Sequence, residues 1–136
     1  MATLDEVIRT SSILVHSDKY ALVEAHDVTD REDHFAVIRE THGVTVITNE
    51  ARLAQLTYHA VEKWFRLFEI RISVTFGAPG FLARIAAALA AAGIVVLIVS
   101  SYGRDYLLLK DDDVAGGIEA LKQLGFSFAG NSGEVG

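Results

Sequence analysis

The chain has 136 residues, 51% of them apolar and 22% charged, with no cysteine and a formal net charge of −6. That length holds one domain or two very small ones, and the apolar share is enough for a real core. The missing thiols exclude a disulfide framework, a thiolate metal site and a cysteine nucleophile, and the even spread of acid without a basic stripe argues against nucleic acid and anionic membrane as partners.

Asp5, Glu6 and Arg9 interrupt any secretory h-region, so a cytoplasmic protein is expected. Residues 12–16 and 20–26 read as strands joined by the polar turn Ser17-Asp18-Lys19. Residues 27–34 are polar and acidic, a loop or a single helical turn. Residues 35–39 and 44–48 pair about His42-Gly43, where glycine supplies a positive φ. Asn49 is the expected N-cap of a helix over 50–63. A long strand then runs from Trp64 to Phe76. Within it Phe68, Ile70, Ile72, Val74 and Phe76 alternate with Glu69, Arg71, Ser73 and Thr75, the mark of one buried face.

The loop Gly77-Ala78-Pro79-Gly80 breaks that strand, and an Ala-rich helix is expected over 81–92, ending at Gly93. A β-branched strand follows over 94–101, then a tight turn at Tyr102-Gly103 and a strand over 105–110. Asp111-Asp112-Asp113 reads as a cap for the helix Val114–Leu124, which Gly125 stops. Gly116 and Gly117 inside it cost about 1 kcal/mol each against Ala, so close packing of this helix is expected. Residues 85–103 carry no charge, long enough to suggest a membrane span. The run is alanine before Gly93 and β-branched after it, so helix, glycine and buried strand is the reading.

These elements predict an α+β fold of two ferredoxin-like βαββαβ units with antiparallel sheets, helices on one face. The units are expected at residues 1–63 and 64–130, followed by a flexible tail at 131–136. The first is degenerate, because 27–34 is too short for the helix that 81–92 supplies to the second.

The start of that helix offers no capping side chain, so its first N–H groups need another partner. Such a terminus attracts a carboxylate, and Asp105 in the facing hairpin suits an ammonium or guanidinium. Other constellations read as structural. His26, Asp27, Asp30, Glu32, Asp33 and His34 have metal-ligating atoms without a standard spacing, and His16, His42 and His59 are isolated and expected to be exposed. Trp64, Phe65 and Phe68 lack the surroundings of a base-stacking platform and read as core or interface. No catalytic constellation stands out, so no enzyme activity, metal or cofactor is expected.

The residues of the second half resemble an ACT domain, most closely the small stand-alone bacterial proteins built from two ACT-like halves. Related units occur in aspartate kinases and cytosolic arginine sensors. The matching stretches are Phe76-Gly77-Ala78-Pro79-Gly80-Phe81-Leu82-Ala83, Ala91-Ala92-Gly93-Ile94, and the hairpin from Ser100 to Lys110 with its Tyr102-Gly103-Arg104-Asp105-Tyr106 turn. In that hairpin Gly103-Arg104 replaces an acidic-polar pair. The resemblance implies a non-catalytic regulatory module that binds an amino acid through the backbone before the first helix. Carried onto this chain, the ligand-binding residues are Ala78, Pro79, Gly80, Phe81 and Leu82, with Ser100, Ser101, Tyr102 and Asp105 from the hairpin. It also implies a homodimer and a regulated enzyme as partner. A second reading keeps the fold without the ligand, as a dimerisation or docking module. An open site favours the first; one plugged by Phe81 or Arg104 favours the second.

Overall fold

The computed structural model describes residues 2–74 and 78–129. Thr75, Phe76 and Gly77 of the expected strand end and loop, and the tail 131–136, lie outside the described residues. The chain forms two compact units: Asp18–Phe65, called here the 18–65 unit, and a flanking unit made by the residues up to Ser17 and from Arg66 onward.

The flanking unit opens with a helix that the sequence reading did not anticipate, α1 (Leu4–Thr10). Its signal was present. Thr3 and Glu6 form a capping box, with Glu6 N–H donating to Thr3 Oγ1 at 3.2 Å and Thr3 N–H to Glu6 Oε1 at 2.9 Å. Strand β1 (Ser12–Ala25) follows as one element of 14 residues, not two strands about a turn. Ser17-Asp18-Lys19 contains no Gly, Pro or Asn to reverse the chain, so the backbone stays extended. The exposed triplet marks where β1 leaves one unit for the other.

Within the 18–65 unit, a single 3-10 turn at Arg31–Asp33 precedes β2 (Ala36–Glu40) and β3 (Gly43–Asn49). The spatial order is β2-β3-β1, antiparallel throughout. Gly43 is required at the turn: its φ is 146° and a Cβ there would lie 2.6 Å from the Ala25 carbonyl oxygen. Asn49 accepts the Arg52 N–H at 2.9 Å as an N-cap, but α2 (Glu50–Leu53) stops after 4 residues, far short of the expected helix. The chain re-extends as β4 (Ala60–Arg71) because Leu56, Val61 and Trp64 pack on the apolar cluster of Val23, Val44 and Val46. Tertiary burial overrides helix propensity here.

Strand β4 carries the chain back into the flanking unit and ends at Arg71, five residues before the expected Phe76. Ser73 explains the stop: its N–H donates to the Ser11 hydroxyl at 3.0 Å instead of a neighbouring strand. Beyond the loop come α3 (Phe81–Ala91), β5 (Leu97–Ser100), β6 (Asp105–Lys110), α4 (Val114–Leu124) and β7 (Ser127–Phe128). Strand β5 starts later than expected because Ile94 is still bonded back to the last turn of α3. Its N–H donates to Leu89 O at 2.9 Å beside Gly93, whose φ of 74° closes the helix. The three aspartates form a 3-10 turn, Asp111–Asp113, and make no side-chain cap.

Strand order in this unit is β1-β4-β6-β5, with the short β7 parallel to Ser12 and Ile13 of β1. Val7 and Ile8 of α1, Ile85 and Leu89 of α3 and Leu121 of α4 share one core with Phe68, Ile70, Leu107 and Leu109. Those four are alternate residues of β4 and β6, so the helices lie on that face, and each buried side chain is worth about 1.5–3 kcal/mol. Gly117 permits the contact: a Cβ there would meet Leu109 Cδ2 at 2.3 Å. No described helix is long and apolar enough to cross a membrane.

Candidate ligand cleft

A cleft of about 670 Å3 opens in the flanking unit between three pieces of chain. Ile72, Ser73 and Val74 continue from β4; Ala78 and Gly80 to Ala83 bring in the start of α3; Ser100 to Asp105 form the β5–β6 turn. The volume falls within the range of small-molecule sites.

The start of α3 is shaped by glycine. Gly80 is the N-cap with φ 86°, a left-handed conformation, and no side chain among the described residues caps the helix. Phe81 N–H donates to Ala78 O at 3.0 Å, closing the turn. The next two amides, Leu82 and Ala83, have no acceptor among the described residues and lie in the positive end of the helix dipole. The Phe81 ring is not a plug: it is 3% exposed and packs edge-on against Phe126, ring centroids 5.7 Å apart.

The opposite wall braces itself. Ser101 N–H donates to Arg104 O at 2.8 Å, and Arg104 N–H to Ser101 Oγ at 3.1 Å. Strand alternation then sorts two charges. Asp105 shares the parity of Leu107 and Leu109, hence the helix side, and Arg104 shares that of Tyr106. Asp105 is half-buried, and its carboxylate has no partner among the described residues.

Arg104 is answered from the sheet. Its Nε donates to Glu69 Oε2 at 2.9 Å, while Glu69 Oε1 lies 2.9 Å from His16 Nε2 and Arg71 Nε lies 3.4 Å from Oε2. The Glu69 side chain is only 14% exposed. Burial pushes its carboxyl up, but the hydrogen bonds from His16 and Arg71 outweigh that and hold it below its ordinary value. Tyr106 is pushed up, first by burial and then by the charge of Glu69. His16 is therefore a hydrogen-bond partner of Glu69, not the isolated exposed histidine expected; its place opposite Glu69 depends on strand pairing that spacing alone does not reveal.

Eight of the nine residues expected at the site line this one cleft: Ala78, Gly80, Phe81, Leu82, Ser100, Ser101, Tyr102 and Asp105. Pro79 is exposed in the turn and does not line it, and Tyr102 stands at the rim, 85% exposed. Ile72, Ser73, Val74, Ala83, Gly103 and Arg104 line it as well and were not singled out as ligand contacts. In the acidic stretch considered for a metal site, Asp27 pairs with Arg31 at 3.0 Å and Arg39 at 3.8 Å, and Asp33 with Arg52 at 3.6 Å.

Residues 61–123 match the family model of the ACT domain, a stretch that holds nearly all of β4 and α4 and everything between. No curated protein matches the chain in sequence. Among solved structures the chain is similar to a protein of unknown function from Vibrio cholerae, described as a possible transport protein. Identity is 18%, 90% of this chain and 95% of that one are covered, and the TM-score is 0.77. It is also similar to the ligand-free regulatory subunit of aspartate kinase from Thermus thermophilus, at 13% identity, 86% and 97% coverage and TM-score 0.60. The aspartate kinase of Synechocystis aligns at 15% identity and TM-score 0.68 over 93% of this chain but only 29% of that enzyme. At such identities the likeness is one of fold: an α+β, antiparallel, ACT-like architecture that recurs in regulatory domains.

Proposed function

We propose that this protein is a non-catalytic sensor or regulatory module whose cleft binds a small molecule carrying both a carboxylate and a cationic group, an amino acid being the ligand class. One observation carries this: a half-buried Asp105 carboxylate and the Leu82 and Ala83 amides at the start of α3, none with a partner among the described residues, share one cleft. The two ends have opposite sign, and a zwitterion satisfies both. The nearby Arg104 guanidinium is bonded to Glu69, a carboxylate it shares with Arg71, and not to Asp105 among the described residues. The ACT match and the regulatory aspartate kinase neighbours support the class. On this reading the chain is a bacterial tandem of two ACT-like units with the first degenerate, working in the cytoplasm as a homodimer that reports to a regulated enzyme.

A second reading, a docking module without ligand, is favoured by the exposure of Val95 at 74% and Tyr102 at 85% near the β5–β6 hairpin. A thermal-shift screen of the twenty amino acids separates the two. A ligand at a hundred times its Kd raises stability by about 2.7 kcal/mol, so at least one amino acid should raise Tm by several degrees. No shift with any of them would overturn the sensor reading.

A further inference from the structure

Two of the three cleft walls are held by an element outside the stretch that matches the ACT domain. On the first wall, Ser73 N–H donates to Ser11 Oγ at 3.0 Å, and Ser73 Oγ lies 2.7 Å from Thr10 Oγ1. Thr10 Oγ1 donates to Glu6 O at 2.8 Å, and Ser11 Oγ, fully buried, donates to Val7 O at 2.6 Å. A hydroxyl has one proton and two lone pairs, so each of these can donate once and still accept. With Thr10 donating to Glu6, its lone pair receives the Ser73 hydroxyl; with Ser11 donating to Val7, its lone pair receives the Ser73 amide. On the second wall, Arg84 in the first turn of α3 donates to Asp5 at 2.9 Å, and Leu4 Cδ2 lies 3.5 Å from where a Cβ on Gly80 would stand. All these partners sit on α1 or at its end, a helix of 7 residues with its own capping box.

We infer that α1 is the positioning element of the cleft: it fixes residues 72–74 and the start of α3 at one separation, and its displacement loosens both walls together. Thr10, Ser11 and Asp5 are positioning residues that act through Ser73 and Arg84. The functional consequence rests on the ligand reading above. If the cleft is a ligand site, occupancy and α1 docking favour each other by reciprocal linkage, and whatever displaces α1 lowers affinity.

Amide hydrogen exchange on the full chain without ligand tests this, comparing wild type with Thr10→Val and Thr10→Ser. Valine keeps the branched shape and removes the hydroxyl; serine restores the hydroxyl. Thr10→Val should exchange the Ser73, Phe81 and Arg84 amides about three- to tenfold faster, the scale of one lost hydrogen bond. The β6 amides of Leu107, Leu108 and Leu109 should keep wild-type rates, and Thr10→Ser should return the cleft amides to wild-type rates. Unchanged cleft amides in Thr10→Val, an equal rise at β6, or no rescue by serine would overturn the inference. Because no ligand is used, a failed amino-acid screen leaves this result standing, and an unchanged exchange pattern leaves the ligand reading standing.

Discussion

The two units use the same parts differently. Each has a tight hairpin with glycine at or in its turn, Gly43 as the first residue of β3 and Gly103 between β5 and β6, followed by a helix. In the flanking unit a full helix, α3, precedes the hairpin, and its N-terminus shares a cleft with Asp105, neither having a side-chain partner among the described residues. In the 18–65 unit the corresponding stretch is a single 3-10 turn, where Asp33 pairs with Arg52, and just before it Asp27 pairs with Arg31 and Arg39. That unit also has a hollow, about 510 Å3 beside Glu24 and residues 39–43. Its charges are already answered: Glu24 by His59 at 3.1 Å, Arg39 by Asp27, and Glu40 by the Thr45 hydroxyl. What separates a candidate site from a mere hollow is thus the polar groups without a partner among the described residues, since a partly buried charge is costly unless something answers it.

The largest mutational contrast lies in the two hairpin glycines. Gly43→Ala forces a Cβ against the Ala25 carbonyl at φ 146° and should cost about 1–3 kcal/mol. Gly103→Ala meets nothing within 4 Å and should stay within about 0.5 kcal/mol of wild type. Urea midpoints decide it, and equal losses would mean the hairpins are not built differently.

A smaller effect should appear with pH. Glu69 is held below its ordinary value of 4.5 in the folded state. Its contribution is therefore complete above about pH 4.5 and is lost as pH falls through the folded pKa. In Glu69→Gln the stability deficit against wild type should be constant at neutral pH and shrink below pH 4.5. A deficit that grows on acidification would contradict the bonding of an ionised Glu69 to His16, Arg71 and Arg104.

Much of the flanking unit was legible in the sequence because each signal there is local. Alternation at Phe68 and Ile70, the alanine run closed by Gly93, and the turn at Tyr102-Gly103 specify their elements without reference to the rest of the chain. The cleft followed, since eight expected contacts sit on just two loops. The failures are where distant residues decide. Residues 54–63 have fair helix propensity, yet Val61 and Trp64 are drawn onto the core of the 18–65 unit as a strand. Ser73 reads as one step in an alternating strand until Ser11, 62 positions earlier in the chain, takes its amide. The Thr3–Glu6 capping box could have revealed α1, but the pairing of His16 with Glu69 follows only from the strand order.

The central claim is that Asp105 receives the cationic end of a ligand whose carboxylate sits on the α3 amides. It is tested most directly by titration calorimetry on wild type and Asp105→Asn, with the amino acid that gives the largest thermal shift. Asparagine keeps the size and turn preference of Asp105 and removes its charge. Affinity should fall about ten- to a hundredfold at unchanged fold, since a charge-assisted pair is worth roughly 1.5–3 kcal/mol. Equal affinity in the two proteins would remove Asp105 from the site and contradict the account.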